Sequence, residues 1–306
     1  MARKKSELLL WTEAAIVRLV FFAFSRFPHK TAMRFGAGFG RLLTRVFPRF
    51  LHTALRNLEI AYPEMPAEER RRVAAGTFES LGRHLGFISH FRFFEREDIR
   101  SLVDVHGIGN YRKARETGRG IIFFTGHFGS WEVFNLLPPA FDEKINILVR
   151  RIDNPKVEEY VDRLRTKFGS VTLGKRQAPR KMYRLLEAGE VVGILADLNA
   201  QLHDGVFVDF FGVKASTTTS IAKLALKTNA VILPAFAVWN RELEKYEVFL
   251  EPELEYEKSD SDEEAILSIT KAFTAVIERY VRKYPEQWLW IHKRWNTRPK
   301  GEKGLY

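Results

Sequence analysis

The sequence predicts an α/β fold with a mostly parallel central sheet flanked by helices, preceded by an N-terminal helical, membrane-associated extension. From Leu102 onward, short apolar runs alternate with stretches of helical periodicity, the pattern of βαβ units. Two runs, Ile121-Ile122-Phe123-Phe124 and Val191-Val192-Gly193-Ile194-Leu195, are apolar throughout, as parallel strands covered on both faces are. Earlier in the chain, Val73, Phe78, Leu81, Leu85 and Ile88 recur at helical spacing after Pro66. With 306 residues, 45% of them hydrophobic, and no low-complexity linker, the chain can close one sizeable core. The organisation that follows is an N-terminal membrane-anchoring helix at 1–28 and one domain at 29–306, helical over 29–100 and α/β over 101–306.

The first element begins at Leu8-Leu9-Leu10-Trp11 and continues from Ala14 to Phe24, preceded by the basic run Ala2-Arg3-Lys4-Lys5. It is close to the shortest helix that spans a bilayer, and Glu13 and Arg18 interrupt it, so a helix lying in the membrane interface fits better. Trp11, the phenylalanines and the basic flanks are what such an anchor places at headgroup level. A buried core helix is the alternative; no small-x-small site marks a cleaved signal peptide. Lys30, Arg34, Arg41, Arg45, Arg49 and Arg56 sit among apolar residues rather than opposite acids, which suits lipid headgroups or a solvated face. Strands are expected near 102–106, 120–125, 144–149, 191–195, 231–238 and 245–250. Helices are expected near 109–117, 130–138, 155–168, 178–188, 216–228 and 262–283. In such a sheet, functional loops gather at the carboxyl ends of the strands.

Lys plus Arg number 49 against 38 Asp plus Glu, a formal net charge of +11, so an anionic surface is an attractive partner. The N-terminal segment favours membrane over nucleic acid. The chain has no cysteine, which excludes disulfides, thiolate metal ligands and a cysteine nucleophile, and it has no Gly-x-Ser-x-Gly elbow. Group transfer is then expected to run directly from donor to acceptor, without a covalent enzyme intermediate.

The strand at 121–124 ends in Gly126-His127-Phe128-Gly129-Ser130-Trp131-Glu132, a turn in which chemistry can sit. Within one helix, five residues would set His127 and Glu132 about 140° apart. With His127 in the turn and Glu132 in the first helical turn, the carboxylate can reach one imidazole nitrogen, leaving the other free as a general base. An ordinary loop histidine followed by a helix-start acid is the alternative. Arg150 and Asp197 also fall just after strands, where three polar residues converge as a site requires. Arg150 suits a phosphate or an ion pair with Asp197 or Glu132; Asp197 suits orientation of an acceptor or an arginine. His127, His203, Asp204 and Asp197 include no helix-spaced ligand pair, so no metal is expected.

Further motifs follow in order. Arg56-Asn57-Leu58 and Tyr62-Pro63-Glu64 precede Gly118-Arg119-Gly120, which leads into His127-x4-Glu132. Then come Arg150 with Asp153-Asn154-Pro155, Arg165 to Gly169, and Gly193-Ile194-Leu195-Ala196-Asp197. Gly205-Val206-Phe207-Val208 and Phe210-Phe211-Gly212 lead to a last block from Tyr284 through Trp295, with Arg298-Pro299. This ordered set resembles the bacterial lipid A biosynthesis (late) acyltransferases, within the lysophospholipid acyltransferase superfamily. The family often has Asn where this chain has Ser130, and Gln directly after the aspartate, where this chain has Leu198 and then Asn199.

The resemblance implies that His127 and Glu132 are the catalytic pair, that Arg150 and Asp197 help build the site, and that Gly205 to Gly212 line it. Backbone amides near Gly129, with Arg150, are the candidates to stabilise a thioester oxyanion. Phe123, Phe124, Phe128, Trp131, Phe134, Phe207, Phe210 and Phe211 cluster around the site motifs and are candidate walls of an acyl groove, with ordinary core packing the alternative. The implied reaction is transfer of a fatty acyl group from acyl carrier protein, or secondly coenzyme A, to a hydroxyl of a lipid A precursor, an anionic glycolipid. It would run at the cytoplasmic face of the bacterial inner membrane, with the thioester as co-substrate and no other cofactor. A lysophospholipid, aminolipid or mannosylated inositol lipid acceptor is the alternative, as is a non-catalytic lipid-binding protein.

Overall fold

The computed structural model describes residues 6–174 and 178–306; the basic run at 2–5 lies outside them. Four helices come first, α1 (Glu7–Ser25), α2 (His29–Val46), α3 (Pro48–Ala61) and α4 (Ala67–Ile88). Ser6 caps α1 by accepting from the Leu9 amide, and Pro48 opens α3 where no intrahelical donor is needed. Helices α2 and α4 cross through glycines. A Cβ added at Gly82 would stand 1.9 Å from the Gly36 carbonyl oxygen, and one at Gly40 would stand 2.0 Å from that of Phe78. Helix α1 buries only Ala14, Phe21 and Phe24. It is tied to the body by Asn154, whose side-chain amide donates to the Leu10 carbonyl (2.8 Å) and to Glu13 (2.9 Å).

The α/β part runs α5 (Ile99–Leu102), β1 (Val103–His106), α6 (Ile108–Glu116), β2 (Ile121–Thr125), a 3-10 helix (Trp131–Leu136) and α7 (Pro138–Phe141). It continues with β3 (Ile145–Val149), α8 (Pro155–Thr166), β4 (Val171–Gly174), α9 (Ala178–Glu187) and β5 (Val191–Leu195). Then follow β6 (Gly205–Phe210), β7 (Val213–Thr218), α10 (Ser220–Thr228), β8 (Val231–Asn240), β9 (Lys245–Leu250) and α11 (Asp262–Lys283). Seven strands form one sheet in the order β1-β9-β8-β2-β5-β3-β4, parallel at every pair except β8–β9. Alternation along the strands divides the core. Ile122, Phe124, Val192 and Ile194 face α9, α10, α11 and the tryptophans at 288, 290 and 295. Ile121, Phe123, Val191 and Ile145 face the 3-10 helix, α7 and α8.

All six expected strands are present, and three more appear. Strand β4 adds an edge, while β6 and β7 form a hairpin over the stretch expected to line the site. The hairpin turns at Phe211 and Gly212, both at positive φ (57° and 74°), the two-residue turn whose twist matches a β-ribbon. The helix expected over 130–138 is instead a 3-10 segment, and Pro138-Pro139 open a separate helix because neither supplies an amide donor. The basic residues of α2 and α3 are less free than their sequence neighbours suggest. Arg34 pairs with Glu244 (2.5 Å), Arg41 with Glu79 (3.2 Å) and Arg56 with Glu59 (2.6 Å).

Candidate active site

Strands β2 and β5 are adjacent and parallel, with Thr125 opposite Leu195. Two residues beyond that last pair stand His127 and Asp197, so the register alone brings them together. The Asp197 carboxylate is buried and accepts three hydrogen bonds: from the His127 amide (2.7 Å), from imidazole Nδ1 (2.8 Å) and from the Trp288 indole (2.8 Å). Burial acts to raise its pKa. The charge and the two hydrogen bonds of His127, with that of Trp288, outweigh burial and hold Asp197 below the ordinary carboxylate range. With Nδ1–H fixed on the carboxylate, Nε2 is the imidazole nitrogen left to act on a ligand.

This geometry corrects the expected partner of the imidazole. Glu132, also buried, accepts from Arg165 Nε (3.0 Å to each carboxylate oxygen), from Arg165 Nη2 (2.5 Å) and from Asn135 (2.6 Å). Helix α8 carries Arg165 against the 3-10 helix that holds Glu132. A buried carboxylate is compensated more fully by a forked guanidinium than by a neutral imidazole. Burial opposes the charge on Arg165, but Glu132 wins and raises its pKa.

The imidazole rests edge-on against Trp131 (centroids 5.0 Å), which stacks on His84 (4.4 Å). His84 Nδ1 lies 2.9 Å from the Ser130 hydroxyl, and burial lowers the His84 pKa to about 4, so that ring is neutral. Ser130 is therefore engaged in the wall behind the site. Gly129 is structural. At φ +54°, a Cβ there would stand 2.1 Å from the Ala237 carbonyl oxygen, and its amide donates to the Gln287 carbonyl (2.9 Å). That amide is not directed at a ligand.

Below His127 opens a cavity of about 260 Å³ along the sheet face that meets the 3-10 helix, α7 and α8. Its mouth carries His127, Trp131, Glu132, Arg165 and Arg150, and its walls are almost wholly apolar, among them Phe123, Phe134, Phe141, Ile147 and Leu195. Arg150 follows β3, exposed at the rim, and takes neither carboxylate, since Asp197 is bound by His127 and Glu132 by Arg165. Gly205, Phe207, Phe210 and Phe211 do not line this cavity. They belong to the hairpin, where Phe210 and Phe211 pack on Trp288, Trp295 and Trp290 in the opposite core. His203 and Asp204 stand in solvent, 3.5 Å apart, and line it no more than those four do.

Of the residues singled out by the sequence, His127, Trp131, Glu132 and Arg150 come together at this cavity, with Asp197 behind the imidazole. The pairing of Asp197 with the imidazole, and Arg165, His84 and Trp288 as partners, were not expected from the sequence. The equal offset of His127 and Asp197 from two parallel strands was the available signal. A histidine whose Nδ1 is held by a buried carboxylate, at the mouth of an apolar cavity, suits proton transfer from a hydroxyl next to a long aliphatic group.

The family whose description reads "Bacterial lipid A biosynthesis acyltransferase" matches residues 2–297. Among individual proteins, the lipid A biosynthesis palmitoleoyltransferase of Escherichia coli (strain K12) is 29% identical over 91% of this chain and 89% of its own length. The lipid A biosynthesis lauroyltransferase of that organism is 29% identical over 97% and 94%, and its myristoyltransferase is 22% identical over 87% and 81%. The three relatives are named for acyl groups of different length. With the match running nearly end to end, this chain belongs to the bacterial lipid A biosynthesis acyltransferase family, and it is an acyltransferase.

Proposed function

We propose that the protein transfers a fatty acyl group from an acyl carrier protein thioester, with coenzyme A the alternative carrier, to a hydroxyl of a lipid A precursor at a membrane surface. The observation that carries this reading is His127, fixed through Nδ1 by buried Asp197 at the mouth of an apolar cavity. Nε2 takes the proton of the acceptor hydroxyl as its oxygen attacks the thioester carbonyl. The imidazolium is stabilised by Asp197, and the collapse of the tetrahedral intermediate breaks the C–S bond, the thiolate leaving with that proton. The cavity receives the acyl chain. At about 0.8 kcal/mol per buried methylene, a twelve-carbon chain gains on the order of 9 kcal/mol there. Glu132 acts through Arg165, keeping that guanidinium at the mouth, and Arg150 at the rim meets a phosphate of donor or acceptor.

Membrane docking uses α1 to α3. Helix α1 is long and apolar enough to cross a bilayer, yet only 17% of its apolar window is buried. Leu8, Trp11, Leu19, Phe35, Phe39, Leu42, Phe47 and Phe50 stay exposed across the three helices. Lys30, Arg45 and Arg49 are interspersed, and each basic side chain near an anionic surface contributes about 1 kcal/mol.

Mass spectrometry of lipids tests the reading in a bacterial host lacking its own late acyltransferases and expressing this chain or its His127→Ala variant. An added acyl mass on lipid A with the intact chain alone supports it. A His127-dependent gain on another lipid keeps the chemistry and replaces the acceptor. A folded, membrane-bound protein that changes no lipid contradicts it.

A further inference from the structure

Gly193 sits in the middle of β5, opposite Phe123 of β2 and Ile147 of β3. Its neighbours Val191, Val192, Ile194 and Leu195 are what a buried strand prefers. A glycine among them gives up side-chain packing and adds to the entropy lost on ordering the chain. Glycine inside a strand often marks another backbone close by. Gly120, just before β2, shows such an approach, since a Cβ there would stand 2.3 Å from the Leu186 carbonyl oxygen. Gly193 is not. An added Cβ would find Ile147 Cγ1 at 3.8 Å and Ile145 Cγ2 at 3.9 Å, ordinary contact distances. Among the described residues no atom demands a glycine here, and the space over it is the cavity.

Strand alternation sorts the sheet side of the cavity into rows about 6.6 Å apart. Thr125 and Leu195 form the row nearest His127; Phe123, Gly193 and Ile147 form the next; Ile121, Val191 and Ile145 form the third. In the third row Ile121 and Val191 are sealed, at 0% and 1% exposure, and only Ile145 reaches the cavity. Gly193 is thus the gap between two large side chains in the middle row.

We propose that Gly193 sets the length of acyl chain the enzyme accepts. This rests on the reading of the cavity as the acyl site. The chain runs from the thioester at His127 past Leu195, lies across Gly193, and ends against Ile145 and Phe141. A side chain at 193 closes the middle row, so the methylenes beyond it lose their burial. Each methylene so denied lowers kcat/KM about fourfold.

The test uses the purified full chain, a lipid A precursor and carrier-protein thioesters from octanoyl to stearoyl, comparing wild type with Gly193→Ala and Gly193→Val. The wild type is expected to show one preferred length. The optimum then moves to shorter chains in Gly193→Ala and further in Gly193→Val, and kcat/KM for the wild-type favourite falls about tenfold or more in Gly193→Val. Folded variants that keep the wild-type profile overturn the assignment. The single carbon of Gly193→Ala sits at ordinary contact distance, so that variant decides the matter even if valine perturbs β5. A wild type that transfers no acyl group from any donor removes the acyl-site reading, and this assignment with it.

Discussion

Asp197 Oδ1 lies 2.8 Å from His127 Nδ1, and the other carboxylate oxygen of Asp197 accepts the His127 backbone amide, so one buried aspartate fixes both the ring and the turn of the imidazole. The His-x4-Glu pattern of the sequence divides its labour differently from its spacing. His127 belongs to Asp197, and Glu132 to Arg165.

Removing Arg165 leaves a buried carboxylate without its guanidinium. Arg165→Met is expected to cost about 3–5 kcal/mol of stability, and the double variant with Glu132→Gln to lose less than the two single losses summed. Urea unfolding of the four proteins measures this; strictly additive losses would show that the pair is not coupled.

His84 makes stability depend on pH. Burial holds it at about 4 against an ordinary 6.5. Between those values the unfolded chain binds a proton that the folded protein refuses, so stability falls as pH falls, by about 3 kcal/mol across the window. His29 and His292, both lowered chiefly by burial, act in the same direction. His84→Gln should therefore give a shallower loss of stability between pH 6.5 and pH 4, not a flat one. A curve as steep as that of wild type would contradict the buried neutral ring.

On the proposed reading, Arg150 binds a phosphate and does not react. Arg150→Ala is expected to raise KM for the phosphate-bearing substrate about tenfold to 10²-fold, the worth of one charge-assisted hydrogen bond, while kcat changes little. Steady-state kinetics with either substrate varied identify which one carries that phosphate; a loss confined to kcat would move Arg150 to the reacting carbonyl.

The proposed docking face is testable without activity. Phe39→Ser with Phe47→Ser, and separately Arg45→Glu with Arg49→Glu, should each weaken sedimentation with phosphatidylglycerol vesicles by about tenfold or more. Only the charge-reversal pair should alter the salt dependence. Wild-type binding by both would place the membrane contact elsewhere.

Much of this was legible in the sequence, for reasons that differ by element. Strands β2 and β5 announce themselves as uninterrupted apolar runs, and α11 as a long periodic stretch that opens at Ser261 with three acids in its first turn. The β6–β7 hairpin was hidden because its turn is Phe211-Gly212 rather than Asn-Gly. Phe211 holds positive φ because its ring is packed against Tyr62 (5.0 Å) and Trp290 (6.1 Å), a tertiary cause invisible locally. For the same reason Phe210 and Phe211, close in sequence to site motifs, lie in the other core layer. The partner of Glu132 was out of reach because Arg165 arrives from α8, 33 residues away.

The most direct test of the proposed chemistry is a double-mutant cycle on acyl-transfer kcat with His127→Ala and Asp197→Asn. His127→Ala is expected to lower kcat about 10²-fold to 10⁴-fold, Asp197→Asn nearly as far, and the pair no further than His127→Ala alone, because the two act as one unit. Near-normal turnover in Asp197→Asn, or losses that multiply, would contradict a base held by Asp197.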